Sequence, residues 1–389
     1  MAVERNLHAK ENRRRWMPSG ENVDFPFLCL ILLLLTVGLV MLFSASSAQS
    51  QYDTGYTVST KYLQKQALCA LIGLLAMYAF SRIPAVFWYQ MAWPLYGISI
   101  VLLLSVLLIG QEVNGARRWI NIAGIQFQPS EVAKFSQILV FARLTRRYGR
   151  NTRKFKYGVL GFGMTLMGIL VPLALEKHLS AIMLMGMVAV VMMYVAGSSP
   201  KWLLAGAAAA GLFVLIYIRF MGYAGDRVTA WIHPERDPGD TGYQILQSLY
   251  AIGSGGLFGL GLGKSRQKYL YLPFQYNDYI FAVCCEELGL VGAVAIASVF
   301  AVMILRGYWI ALRARDRFST VLASGLITLI AVQTLLNFCV VTNLLPSTGI
   351  ALPFFSYGGT ALAVNLGEMG VVLQISRQRN QRKLQEEIP

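Results

Sequence analysis

The acids of this chain are few enough to weigh one at a time, and their settings separate them. Asp278 stands directly before the apolar run YIFAVCC, with Glu286 and Glu287 a little further inside it. An ionisable group at the mouth of an apolar segment is costly to desolvate and marks a functional site by default. The eight residues from Asp278 to Glu286 make just over two helical turns, so both can line one cavity. A carboxylate so placed can serve as a general base or hold a divalent ion. Capping a helix N-terminus is the plain alternative.

Cations and hydrogen-bond donors gather elsewhere. The stretch VNGARRWINIAGIQFQPSEVAKF carries Arg117 and Arg118 beside Trp119, then Gln128, Ser130 and Glu131, with Lys134 a turn later. Arginine forks match phosphate oxygens, and Trp suits an interfacial or sugar face. An interfacial anchor with a Ser130 helix cap would use the same residues. Arg227 and Lys264 add cations in the long polar stretch before Asp278. The segment LPSTGIALPFFSYGGT places Pro346, Gly349, Pro353, Gly358 and Gly359 at membrane level, where irregular backbone is tolerated only if buried in protein or lining a cavity. It points to a groove lined by outer loops.

The remaining acids have bland readings. Asp237 and Asp240 sit in the turn sequence DPGDTG, Asp53 in a short polar loop, and Glu176 beside Lys177 and His178 in a short turn where Glu176 and Lys177 can pair. Glu368 lies within the last apolar run near Asn365, and Asn337 is its expected packing partner.

These residues need elements to hold them. Apolar residues make up 56% of the 389, charged residues 14%, and the charges fall between long apolar runs. The pattern predicts an all-α polytopic membrane protein with ten spans, at about 25–47, 61–80, 88–109, 131–146, 157–174, 179–196, 201–220, 280–305, 319–342 and 360–376. Residues 1–24 and 377–389 are cytoplasmic tails, and 221–279 form a large outer loop between spans 7 and 8. The first run, followed by Ser44-Ala45-Ser46-Ser47-Ala48, reads as an uncleaved anchor. A net charge of +15 raises nucleic acid as a partner. The bases instead cluster at Arg13–Arg15, Arg143–Lys156, Arg306–Arg317 and Arg377–Lys383, each abutting a span on the predicted inner side. That is the positive-inside pattern, and anionic lipid headgroups account for it without nucleic acid. The five cysteines lie inside apolar runs and the three histidines are scattered, which speaks against disulfides and zinc.

Taken in order, NGARRW, FQPSE, GYQ-x5-AIGSGGLFGLGLG, the acid before IFAVCCEELG, and LPSTG-x3-PFFSYGG resemble the SEDS family (shape, elongation, division and sporulation proteins) over roughly residues 25–376. The wording is more like the FtsW and SpoVE branch than the RodA branch. The resemblance implies a peptidoglycan glycosyltransferase that polymerises lipid II at the outer face of the bacterial cytoplasmic membrane. It makes Asp278 the essential acid, as general base or as ligand of a divalent cation (Mg or Mn), with Gln244 and Ser356 among the substrate-binding candidates. It also implies a class B penicillin-binding protein transpeptidase as companion, with other division-complex membrane proteins and membrane lipids as partners. The sequence departs from the family where Tyr276-Asn277 replaces a His-Thr or His-Asn pair, and where Lys177-His178 stands in place of Pro-Asp. A lipid II flippase is the competing reading, with Glu286 and Glu368 as its pathway residues. A passive scaffold, for which no outward acid matters, is a third.

Overall fold

In a bilayer the backbone must satisfy its own polar groups, and long apolar runs therefore form helices. The computed structural model describes residues 23–113, 116–122, 125–206, 208, 230–236 and 241–386. Helices α1 (Phe25–Asp53), α2 (Lys61–Arg82), α3 (Ala85–Ile109), α4 (Pro129–Tyr148), α5 (Gly161–Leu175), α6 (Leu179–Val195), α7 (Thr241–Gly255), α8 (Ile280–Leu312), α9 (Arg317–Val341) and α10 (Gly359–Glu386) carry the fold. Among the described residues, six helical segments are long and apolar enough to cross a membrane, and α6 is a shorter apolar helix. A polytopic helical membrane protein is thus what the apolar runs build.

α4 is more polar than its neighbours because it is central. It packs on α3, α5, α6, α9 and α10, and most of its side chains, including Ser130, Glu131, Lys134 and Gln137, are buried. A helix surrounded by protein can carry polar groups at depths where a lipid-facing one cannot. At the far end of the bundle Asp24 caps α1 through Phe27 N–H (3.1 Å), and its backbone N–H donates to Ser376 Oγ (3.0 Å). The Arg306 fork donates to both Asp24 oxygens at 3.0 and 2.9 Å, joining α1, α8 and α10.

Three expectations change. The segment that joins the third and fourth predicted spans is no plain connection: its described residues form an antiparallel three-stranded sheet in the order β1 (Gln111–Val113), β2 (Ala116–Ile122) and β3 (Ile125–Phe127), which qualifies the all-helical reading. The predicted outer loop holds the helix α7, and most of the seventh predicted span lies outside the described residues. Thirdly, α8 is broken at Gly289 (φ 68°, ψ −170°). There the glycine-rich segment after α7 interlocks with it backbone to backbone. Leu260 and Gly261 N–H donate to the Glu286 and Glu287 carbonyls (2.9 and 3.0 Å), and Leu290 and Val291 N–H to those of Gly256 and Leu257 (2.9 and 3.1 Å). A Cβ on Gly259 would lie 2.2 Å from the Glu287 carbonyl oxygen, and one on Gly289 2.3 Å from Gly259 N, so both positions require glycine.

Candidate active site

Asp278 is held through its backbone. On α9, Asn337 donates to the carbonyls of Asp278 and Ile350, both at 2.8 Å, joining the approach to α8 with the segment between α9 and α10. Ser356 Oγ donates to the Asn277 carbonyl (2.7 Å) and accepts from Leu352 N–H (2.8 Å), while Tyr357 N–H donates to the Tyr276 carbonyl (2.9 Å). Gln66, fully buried in α2, closes the frame: its amide donates to the Ser356 carbonyl (3.0 Å) and accepts from Gly358 N–H (3.2 Å). Asp278 does not cap α8, whose N-cap is Tyr279 with no side-chain capping bond. Its carboxylate instead approaches Gly349, where a Cβ would lie 3.2 Å from Oδ2 and φ is +67°.

A cavity of about 610 Å³ opens in front of this carboxylate. Its walls bring together Asp278, Arg118, Trp119, Gln128, Ser130, Glu131, Lys134, Gln244 and Ser356, residues spread over more than half the sequence. Lys134 pairs with Glu131 at 2.7 Å, both side chains being buried, and Arg118 donates to the Lys177 carbonyl at 2.7 Å. His178 and Asn365 also line the space, and the spacing of the sequence did not reveal them as wall residues.

Other candidates fall elsewhere. Arg117 pairs with Glu112 across the strands at 3.5 Å and donates to the Leu107 carbonyl at 3.2 Å, away from the cavity. Successive side chains on a strand face opposite ways, so the two adjacent arginines cannot both point inward. Lys264 is not among the lining residues, and Arg227 lies outside the described residues, as do Asp237 and Asp240.

Glu286 and Glu287 are substrate candidates that the structure places in a clamp. Glu287 accepts from Ser44 Oγ at 2.6 and 2.7 Å and from Ser265 N–H at 3.2 Å, with Lys268 Nζ 3.7 Å away. Glu286 accepts from Ser265 Oγ, from Arg266 N–H (3.0 Å) and from Gln267 N–H (3.4 Å). Helical spacing allowed a shared cavity with Asp278, but that spacing does not start until Ile280, after the turn that carries Asp278.

Asn337 partners the Asp278 and Ile350 carbonyls rather than Glu368, and no Glu176–Lys177 ion pair occurs among the described residues. Glu176 and His178 bear on the charge of the cavity wall. Burial pushes Glu176 up to about 8, against the pull of Arg118, and pushes His178 down to about 3, with Arg118 and Lys134 adding to the effect. The neutral form of each is favoured, so Arg118, beside the Lys134–Glu131 pair, gives this wall its positive character.

For a divalent ion the donor set is thin. Among the described residues no group of three or more His, Cys, Asp or Glu could hold a metal, so a centre built by the protein alone does not fit.

The helical membrane bundle thus gathers Asp278, Arg118 and the Lys134–Glu131 pair around one cavity. Residues 25–381 match the family described as "Cell cycle protein", FtsW/RodA/SpoVE, and the chain belongs to that family. A "Probable peptidoglycan glycosyltransferase FtsW" from Geobacter metallireducens is 37% identical, covering 95% of this chain and 98% of the relative. "Stage V sporulation protein E" of Bacillus subtilis is 38% identical over 91% of this chain and 97% of its own length. Among solved structures, a chain of "Structural coordination of polymerization and crosslinking by a peptidoglycan synthase complex" aligns with a TM-score of 0.78 at 28% identity, covering 93% of this chain and 99% of that one. Thermus thermophilus "Rod shape determining protein RodA" aligns at 0.69 and 27% identity, over 92% and 98%.

Proposed function

We propose that this chain is a peptidoglycan glycosyltransferase that polymerises lipid II for the cell wall during division, at the outer face of the bacterial cytoplasmic membrane. The observation that carries this reading is the cavity that Asp278 lines together with Arg118 and the Lys134–Glu131 pair. Family membership and glycosyltransferase relatives matching almost the full chain support it.

The chemistry requires two things. As the acceptor 4-hydroxyl attacks the anomeric carbon, its proton passes to a base, and Asp278 is the carboxylate placed to take it. The bond from that carbon to the pyrophosphate oxygen breaks, its electron pair leaving with the lipid pyrophosphate, whose charge Arg118 and Lys134 offset. Attack opposite the leaving group inverts the centre and gives the β-1,4 linkage without a covalent enzyme intermediate. Backbone anchoring by Asn337 and the Ser356 frame holds the base in place before substrate arrives. A Mg or Mn ion carried in by the pyrophosphate remains a second use for Asp278, and no step depends on it.

A class B penicillin-binding protein is the proposed companion, supported by likeness to a chain of a synthase complex that couples polymerisation with crosslinking. The flippase alternative loses one of its two pathway residues, since Glu286 is engaged by backbone amides.

The test is polymerisation of purified lipid II by the reconstituted protein with its transpeptidase partner, wild type against Asp278→Asn, with Mg and Mn each added and withheld. Loss of polymer in the variant, with folding and complex formation intact, is expected. Robust polymer from Asp278→Asn would remove the acid from the reaction.

A further inference from the structure

Beneath the cavity lies a carboxylate that the reaction above leaves unused. Glu368 is on α10, one turn past Asn365, which lines the cavity floor. It is 2% exposed, and neither of its oxygens has a hydrogen-bond partner among the described residues; Asn365 Oδ1 is likewise buried and unpartnered. The elements packed on α10 are α1, α2, α4, α8, α9 and β3. From α4, the charged residues Lys134 and Glu131 line the same cavity as Asn365. These are the same two residues that pair at 2.7 Å in the cavity wall. Gln137, a turn along α4 from Lys134, has its amide oxygen and nitrogen buried without partners. Lys134 therefore stands between the substrate cavity and a second group of polar side chains below it.

The charge arithmetic of this arrangement is simple. Glu131 and Lys134 cancel, so a neutral Glu368 leaves the floor without net charge, and Lys134 can turn to an anion. An ionised Glu368 gives the floor a net negative charge and offers Lys134 a second carboxylate. An unpartnered carboxylate is costly to bury in its charged form, and the nearest relief is that ammonium.

We propose that Glu368 is a proton-linked positioning residue, which as a neutral acid leaves Lys134 free to hold an anionic pyrophosphate and on losing its proton draws Lys134 away and weakens that hold. The proposal rests on the glycosyltransferase reading, which supplies the pyrophosphate.

Its test is calorimetric titration of inorganic pyrophosphate into the reconstituted full chain from about pH 6 to about pH 9, for wild type, Glu368→Gln and Glu368→Asp. Ionisation of pyrophosphate itself is common to all three and cancels in the comparison. Wild-type affinity is expected to fall as pH rises, Glu368→Gln to lose that limb, and Glu368→Asp to restore it. At the alkaline end the Gln variant should bind roughly tenfold more tightly, the effect of one charge on the order of 10 Å away at an effective dielectric constant of about 20. Its kcat with lipid II should stay within about twofold of wild type, since the residue acts through binding. Superimposed wild-type and Gln profiles, with polymerisation and thermal stability intact, would sink the proposal alone. A wild type that neither binds pyrophosphate nor polymerises lipid II would overturn the functional reading and the proposal with it.

Discussion

At the scale of the residue, two adjacent arginines make opposite predictions. Arg118 lines the cavity and Arg117 pairs outside it with Glu112. Arg118→Ala should reduce kcat/KM with lipid II by about tenfold to a hundredfold, the loss of one charge-assisted contact to the leaving group, while Arg117→Ala stays near wild type. Steady-state kinetics of the two variants side by side checks this, and a reversed order would mean that the strand presents its other face to substrate. Asn337→Leu should lower kcat without weakening substrate binding, because it frees the Asp278 carbonyl while leaving the wall cations alone. His178 supplies a pH prediction. A base whose proton affinity is lowered on folding contributes stability above its unfolded value of about 6.5, lost as pH falls towards about 3. His178→Gln should therefore flatten the acid-side fall of thermal stability between those limits, measured as melting temperature against pH. Asp278 and Lys134 were legible in the sequence because charge beside apolar runs is conspicuous. Asn337 and Gln66 were not, since a neutral amide inside a span gives no sign of which carbonyl it will reach.

At the scale of the element, the lesson is that the same residue spacing means different things on a strand and on a helix. Reading 111–127 as a loop left both arginines as phosphate ligands; the meander separates them by alternation. The signals were the period-two pattern Ile120-Asn121-Ile122 and the Asn114-Gly115 dipeptide, a hairpin signal in sequence, both overshadowed by much longer apolar runs. The acid pair of α8 shows the reverse error, helical spacing extended across a turn. Its clamp on Ser44, Ser265 and Lys268 anchors the segment that leads from α7 to Asp278. Glu287→Ala leaves a buried Lys268 ammonium without its counter-ion and the Ser265 N–H without its acceptor, and should cost about 3 kcal/mol of stability together with most polymerising activity. Thermal denaturation in lipid nanodiscs would measure the first, and retention of wild-type stability would show the clamp to be dispensable.

At the scale of the whole molecule, charge is sorted along the bundle. Asp278, Arg118 and the Lys134–Glu131 pair occupy one end, where α4 and α8 begin. At the other end Arg143 and Arg146 stack on Tyr89 (4.7 and 5.2 Å), Arg306 and Arg313 sandwich Trp309 (both 4.0 Å), and Arg306 grips Asp24. Stacked guanidiniums next to the ends of apolar helices are suited to anionic headgroups, and the proposed function requires this basic end in the cytoplasm and the cavity outside. The consequence can be measured without any substrate. In a background with Cys29, Cys69, Cys284, Cys285 and Cys339 replaced, a cysteine at Tyr56, exposed in the turn between α1 and α2, should react with a membrane-impermeant maleimide added to intact spheroplasts. One at Arg315, between α8 and α9, should react only after the membrane is opened. The opposite pattern would turn the cavity towards the cytoplasm, where a polymerase would deposit glycan on the wrong side of the membrane, and the function proposed here would fall with the orientation.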